Sequence, residues 1–66
     1  MSTDPTLSDR IVKIREVIAL TGLSRSSIYL LIKKGTFPAQ VKLSSRSSGW
    51  YQSEIKTWMD ALPRGA

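Results

Sequence analysis

The residues best equipped to meet a partner lie in one acid-free stretch. From Val17 to Ser53 there is no Asp or Glu, yet Arg25, Lys33, Lys34, Lys42 and Arg46 all fall within it. Tyr29 and a string of serines are interleaved with them. Guanidinium and ammonium groups make charge-assisted hydrogen bonds to phosphate and carboxylate oxygens. Outside the stretch, Arg10, Lys13, Arg15, Lys56 and Arg64 are matched by Asp4, Asp9, Glu16, Glu54 and Asp60. The flanks therefore sum to zero and the middle carries the whole +5. Cations without counter-charges of their own suggest a polyanion, most simply nucleic acid. A merely soluble basic surface, or an acidic protein partner, accounts for the same charge.

Other chemistries find little support. The chain has no histidine and no cysteine, so the commonest general base, the thiolate nucleophile and the thiolate metal site are missing. It has no phosphate loop, and a 66-residue chain has little room for a concave pocket. Glu16 and Glu54 could be offered as a carboxylate pair, but each is explained more simply by helix-start electrostatics. No enzyme, cofactor or metal is expected. No apolar run approaches the roughly 20 residues that a membrane span needs. Met1-Ser2-Thr3-Asp4-Pro5 lacks the basic and apolar regions of a signal peptide, so the expected compartment is the cytoplasm.

A chain of this length makes one small domain that buries only about 60% of its unfolded surface. Tight packing of Trp50, Trp58, Phe37 and the aliphatics must hold it. Residues 1–9 are polar and read as a disordered arm, 10–63 as the folded domain, and 64–66 as a frayed end after Pro63. The spacing predicts a first helix from about Arg15 to Thr21, with Val17, Ile18 and Thr21 on its apolar face and Gly22 as its stop. A second helix is predicted from about Arg25 to Lys34, with Ser24 as N-cap and Gly35 as C-terminal stop. Its Ile28, Leu31 and Ile32 stand at i, i+3, i+4 and form a buried stripe. Only Gly22-Leu23-Ser24 separates these helices, which forces a tight helix-turn-helix. Val41-Lys42-Leu43 alternates as a strand, Gly49-Trp50-Tyr51 is its partner, and Ser44–Ser48 forms the loop with Arg46 at its centre. A third helix covers about Gln52 to Leu62, with Ile55, Trp58, Met59 and Leu62 inward.

That order, mainly α with a small β-hairpin, is a winged helix-turn-helix. In such folds the second helix enters the DNA major groove and its N-terminal residues meet base edges. Here that helix opens with Arg25-Ser26-Ser27 behind Ser24. Arg25 is forked and can read guanine O6 and N7. With the stripe inward, Ser26, Leu30 and Lys33 point outward, flanked by Arg25 and Tyr29. Lys42 and Arg46 arm the hairpin as a wing. Each has a plainer use as well. Ser24 is a helix cap, Tyr29 a half-buried flank, Arg46 a loop cation, and Lys33 with Lys34 complements the helix dipole. Trp50 and Trp58 belong to the core and not to base stacking.

Several runs resemble the AlpA family of prophage regulators, close to excisionases and MerR-like winged helices. They are Ile14-Arg15-Glu16-Val17, Leu20-Thr21-Gly22-Leu23-Ser24-Arg25-Ser26-Ser27-Ile28-Tyr29, Phe37-Pro38, Val41-Lys42-Leu43 and Gly49-Trp50. Glu54-Ile55 and Trp58-Met59 complete a resemblance that covers residues 11–62. It implies a double-stranded DNA-binding protein that activates an integrase gene or directs excision. It also implies recognition positions at Arg25, Ser26, Tyr29 and Lys33 and wing positions at Lys42 and Arg46. Position 30 is commonly basic in the family and position 36 often so; here they are Leu30 and Thr36. An integrase, another recombinase or RNA polymerase would be a protein partner. A monomer in solution that multimerises on DNA fits so short a reading helix. The competing reading is a protein-interaction module of the same fold that inhibits or recruits another regulator or integrase.

Overall fold

The computed structural model describes residues 9–65. The arm expected over residues 1–9 therefore lies outside the described residues except for Asp9. The elements run β1 (Ile11–Val12), α1 (Ile14–Thr21), α2 (Arg25–Lys34), β2 (Val41–Ser44), β3 (Ser47–Tyr51) and α3 (Gln52–Asp60).

Local chemistry sets the helix-turn-helix. Gly22 takes φ 75° and its N–H donates to the Ile18 carbonyl, ending α1 in a left-handed conformation that glycine adopts without strain. The Thr21 hydroxyl donates to the Val17 carbonyl at 2.8 Å and accepts from the Leu23 N–H at 3.2 Å. One side chain thus spans the helix end and the turn. Ser24 then caps α2, accepting from the Ser27 N–H at 3.1 Å. Gly35, at φ 79°, closes α2 behind Lys33 and Lys34.

The sheet has the order β1-β3-β2 and is antiparallel throughout. Strand β1 is absent from the sequence-based expectation. It pairs Ile11 with Tyr51 and Val12 with Trp50, so its partner lies almost the whole domain away. Gly49 makes this crossing feasible. A Cβ there would stand 2.5 Å from Ile11 Cγ2 and 2.9 Å from the Val12 carbonyl oxygen. The expected five-residue loop Ser44–Ser48 is corrected to a two-residue turn, Ser45-Arg46. Ser44 and Ser47 instead belong to the strands and face each other, and the register slips between Lys42 and Ser44. That bulge also breaks the expected alternation: Leu43 stands 44% exposed.

Val12, Val17, Ile28, Phe37, Trp50 and Ile55 form the buried core, drawn from nearly every element. Two indoles anchor the segment that leaves α2. Trp50 Nε1 donates to the Pro38 carbonyl at 2.9 Å, and Trp58 Nε1 to the Thr36 carbonyl at 2.7 Å. Phe37 packs edge-on against Trp58, ring centres 4.7 Å apart. Each indole so satisfies its polar atom while its ring covers apolar surface. Helix α3 stops at Asp60 and not at the expected Leu62, which is exposed. Its start is held from outside. Tyr51 in the N-cap position offers no side-chain bond, and Asp9 substitutes for it. The Asp9 carboxylate accepts from the Ser53 N–H at 3.1 Å and from the Ser53 hydroxyl at 2.6 Å. The Ser53 hydroxyl bond is the chief reason that the Asp9 carboxyl lies below the ordinary aspartate range; desolvation opposes it, and the backbone N–H groups of Ser53 and Arg10 add smaller lowering contributions.

Candidate nucleic-acid interface

Helix α2 turns one side to the core through fully buried Ile28 and leaves the other open. Arg25, Ser26, Tyr29, Leu30 and Lys33 are all exposed. The serines at its start divide by role. Ser24 donates its hydroxyl to Ser27 Oγ at 3.0 Å while accepting from the Ser27 N–H. Those two hydroxyls are therefore engaged with each other. Ser26 is exposed, and its hydroxyl has no bond among the described residues. Lys33 and Lys34 extend the open side to the C-terminal end of α2.

The wing stands beside the start of this helix. Arg25 and Tyr29 of α2, Arg46 of the turn, and Lys13 and Arg15 at the start of α1 line one groove of about 350 Å³. Trp50 forms part of its wall and meets Tyr29 with ring centres 6.4 Å apart. Lys13 Nζ donates to Ser47 Oγ of the wing at 2.7 Å, tying the start of α1 to the hairpin. No acidic residue lines this groove. Lys33, Lys34 and Lys42 do not line it; Lys42 stands exposed on β2, opposite Ser48. Another, larger depression, about 610 Å³ between Phe37-Pro38 and α3, is lined by Glu54 and no cation. Size alone would mislead here, because the positive charge converges on the smaller groove.

Lys13 and Arg15 escaped the sequence reading. Counted along the chain they are balanced by acids; in space the groove they line contains none. One signal could have found them. Lys13 occupies the N-cap of α1, where Ser, Thr, Asp or Asn would serve, and it makes no side-chain cap bond.

Comparison with known proteins agrees with this architecture. The family model described as prophage CP4-57 regulatory protein (AlpA) matches residues 10–62. The chain belongs to the AlpA family. The uncharacterized protein ORF88 of Enterobacteria phage P4 is 49% identical over 51 residues, covering 77% of this chain and 58% of that protein. The chain thus spans little more than half the length of that relative. The DNA-binding transcriptional activator AlpA of Escherichia coli K12 is 34% identical over 56 residues, covering 76% of this chain and 80% of that protein.

Leu30 and Thr36, where the resemblance leads one to expect a basic residue, are separated by the structure. Thr36 helps to close α2, since its N–H and its hydroxyl both donate to the Leu31 carbonyl, at 3.0 and 3.3 Å. Leu30 has no comparable role. It is 53% exposed in the middle of the open side of α2.

Proposed function

We propose that this protein is a sequence-specific double-stranded DNA-binding regulator of prophage or mobile-element genes. The observation that carries this is the open side of α2, with Arg25, Ser26, Tyr29 and Lys33, set against a wing whose Arg46 shares an acid-free groove with Arg25. In this reading α2 lies in the major groove. Arg25 donates a fork to guanine O6 and N7, and Ser26 and Tyr29 make the adjoining contacts. Ser24 and Ser27 fix the helix start, whose backbone N–H groups face a phosphate. Lys33 and Lys34 meet phosphates at the far end, and Lys42 and Arg46 reach the neighbouring backbone or minor groove from the wing. Membership in the AlpA family and the description of the Escherichia coli relative support it. One short helix covers few base pairs, so specificity comes from several copies on the DNA. The regulated gene in this reading is an integrase gene, or the protein directs excision together with the integrase. Such a protein works in the cytoplasm; among the described residues no helix is long and apolar enough to cross a membrane.

The decisive measurement is footprinting and affinity on duplex DNA flanking the protein's own gene, across a salt series. Counterion release makes a DNA binder lose affinity steeply with salt. A flat slope without a footprint overturns the reading. One observation favours a second reading, a module that docks on another regulator or integrase: exposed Leu30 sits in the centre of the same surface. Under that reading Leu30→Ser abolishes protein capture, and salt has little effect on it.

A further inference from the structure

The groove between the start of α1, α2 and the wing draws its four cations from three separate elements. Lys13 and Arg15 come from the start of α1, Arg25 from α2, and Arg46 from the β-turn. Four like charges around about 350 Å³ repel one another, and nothing in the lining offsets them. Among the described residues the ion pair present is Lys56 with Asp60, on α3. Folding thus assembles a concentrated positive site and leaves it without an internal anion. The alternative, that these are scattered solubilising charges, fits poorly with the bond from Lys13 Nζ to Ser47 Oγ, which holds the start of α1 against the wing.

The helix ends add to this in a consistent way. Helix α2 has Ser24 and α3 has Asp9 to accept from their first N–H groups. Helix α1 has Lys13 at its N-cap, with no side-chain acceptor, and Ile14 and Arg15 of its first turn line the groove. Free N–H groups at a helix start favour an anion. On a duplex, with Arg25 kept for the base edge and Lys13, Arg15 and Arg46 left to bind it, the small anion that answers both features is a backbone phosphate.

We infer that this groove seats a single phosphate group of the DNA backbone, and that Lys13 and Arg15 are binding residues. The inference rests on the DNA-binding reading and deepens it. The seat fixes the position of α2 in its groove, because Arg25 lines the seat at the very start of that helix. It is also distinct from base reading. A phosphate contact holds the register of the protein on the duplex but carries no sequence information.

The experiment compares wild type, the double variant Lys13→Gln/Arg15→Gln and Lys56→Gln, whose cation belongs to the ion pair on α3. Binding to a specific and an unrelated duplex is followed across a salt series. In the double variant the slope of log affinity against log salt becomes shallower by about 1, equally on both duplexes, with the preference between them unchanged. Lys56→Gln leaves the slope alone. A double variant that behaves as Lys56→Gln does, while wild type still binds DNA, overturns the inference and leaves the proposed function standing. If wild type binds no duplex, the proposed function falls, and so does the assignment of this phosphate to a DNA backbone. Titrating wild type with inorganic phosphate then decides the seat itself. Saturable shifts of the Ile14, Arg15 and Glu16 amide signals retain a phosphate seat for a free anion, and unshifted signals remove it.

Discussion

The start of α3 and the start of α1 solve the same problem in opposite ways. Both are helix N-termini whose first N–H groups have no partner inside the helix, and both lie next to a cation-bearing segment. At α3 the molecule supplies the anion itself: Asp9 reaches Ser53, and further along the helix Lys56 meets Asp60 at 2.9 Å. At α1 it supplies Lys13, then gathers Arg15, Arg25 and Arg46 around the same groove. Glu16 stands in the first turn of α1 but outside this groove, so the start of α3 is capped by an acid and the groove at α1 is left without one. A cation paired within the fold has little left to offer a partner; an unpaired one keeps its full attraction for an outside anion. Composition does not reveal this contrast, because Lys13 and Lys56 are the same residue type in equally balanced flanks.

The largest effect is expected in the core, where Trp50 stands with Val17 of α1 and Ile55 of α3. Trp50 is 1% exposed in the core, bonds Pro38 and walls the cationic groove. Trp50→Ala should cost about 3–5 kcal/mol, comparable to the whole stability of a small domain. Thermal unfolding followed by circular dichroism should show the native transition lost or greatly lowered. A retained transition would mean that the two ends do not depend on a shared core.

Variants of the open end should leave the fold intact. Arg25→Ala should weaken binding to the specific duplex by about 1–3 kcal/mol and relax preference at one base position, as read by a competition series over single-base variants. Arg46→Ala should have a smaller effect, lowering affinity for all sequences alike and making the salt slope shallower by about 1. Unchanged circular dichroism in both would keep the open end separate from the core. A lost fold in either would erase the distinction.

The closed end should give the smallest effect and a pH signature. The Asp9 carboxyl titrates below its ordinary value of 3.8 in the folded chain. A group whose folded value is depressed stabilises the fold above its unfolded value and loses that contribution as pH falls through the folded one. The thermal midpoint of wild type should therefore fall more on acidification below about pH 3.8 than that of Asp9→Asn, whose side chain does not titrate. Equal acid sensitivity would show that Asp9 does not hold the start of α3.

The sequence determined the features whose physics is local. Helix α2 runs from Arg25 to Lys34 as expected, because Ser24 and Gly35 mark its ends within one turn of chain. The three-residue turn before it, the buried Ile28 and the exposed Arg25, Ser26, Tyr29 and Lys33 follow from the same spacing. Residue runs alone also led to the AlpA family, and the match over residues 10–62 agrees. What stayed hidden joins residues far apart in the chain. Two apolar residues, Ile11 and Val12, carry no strand signal until Gly49 leaves room for them beside β3. The serine run before Trp50 does not announce where it turns; pairing of Ser44 with Ser47 leaves Ser45-Arg46 at the tip. Asp9 looks like part of a polar arm until Ser53 folds against it. Lys13 and Arg15 look neutralised until α1 is laid against the wing. Caps, stops and helical stripes are written within a few residues because a helix bonds to itself. Which charges stand together without an acid is a sum over neighbours in space, and only the tertiary structure decides who those neighbours are.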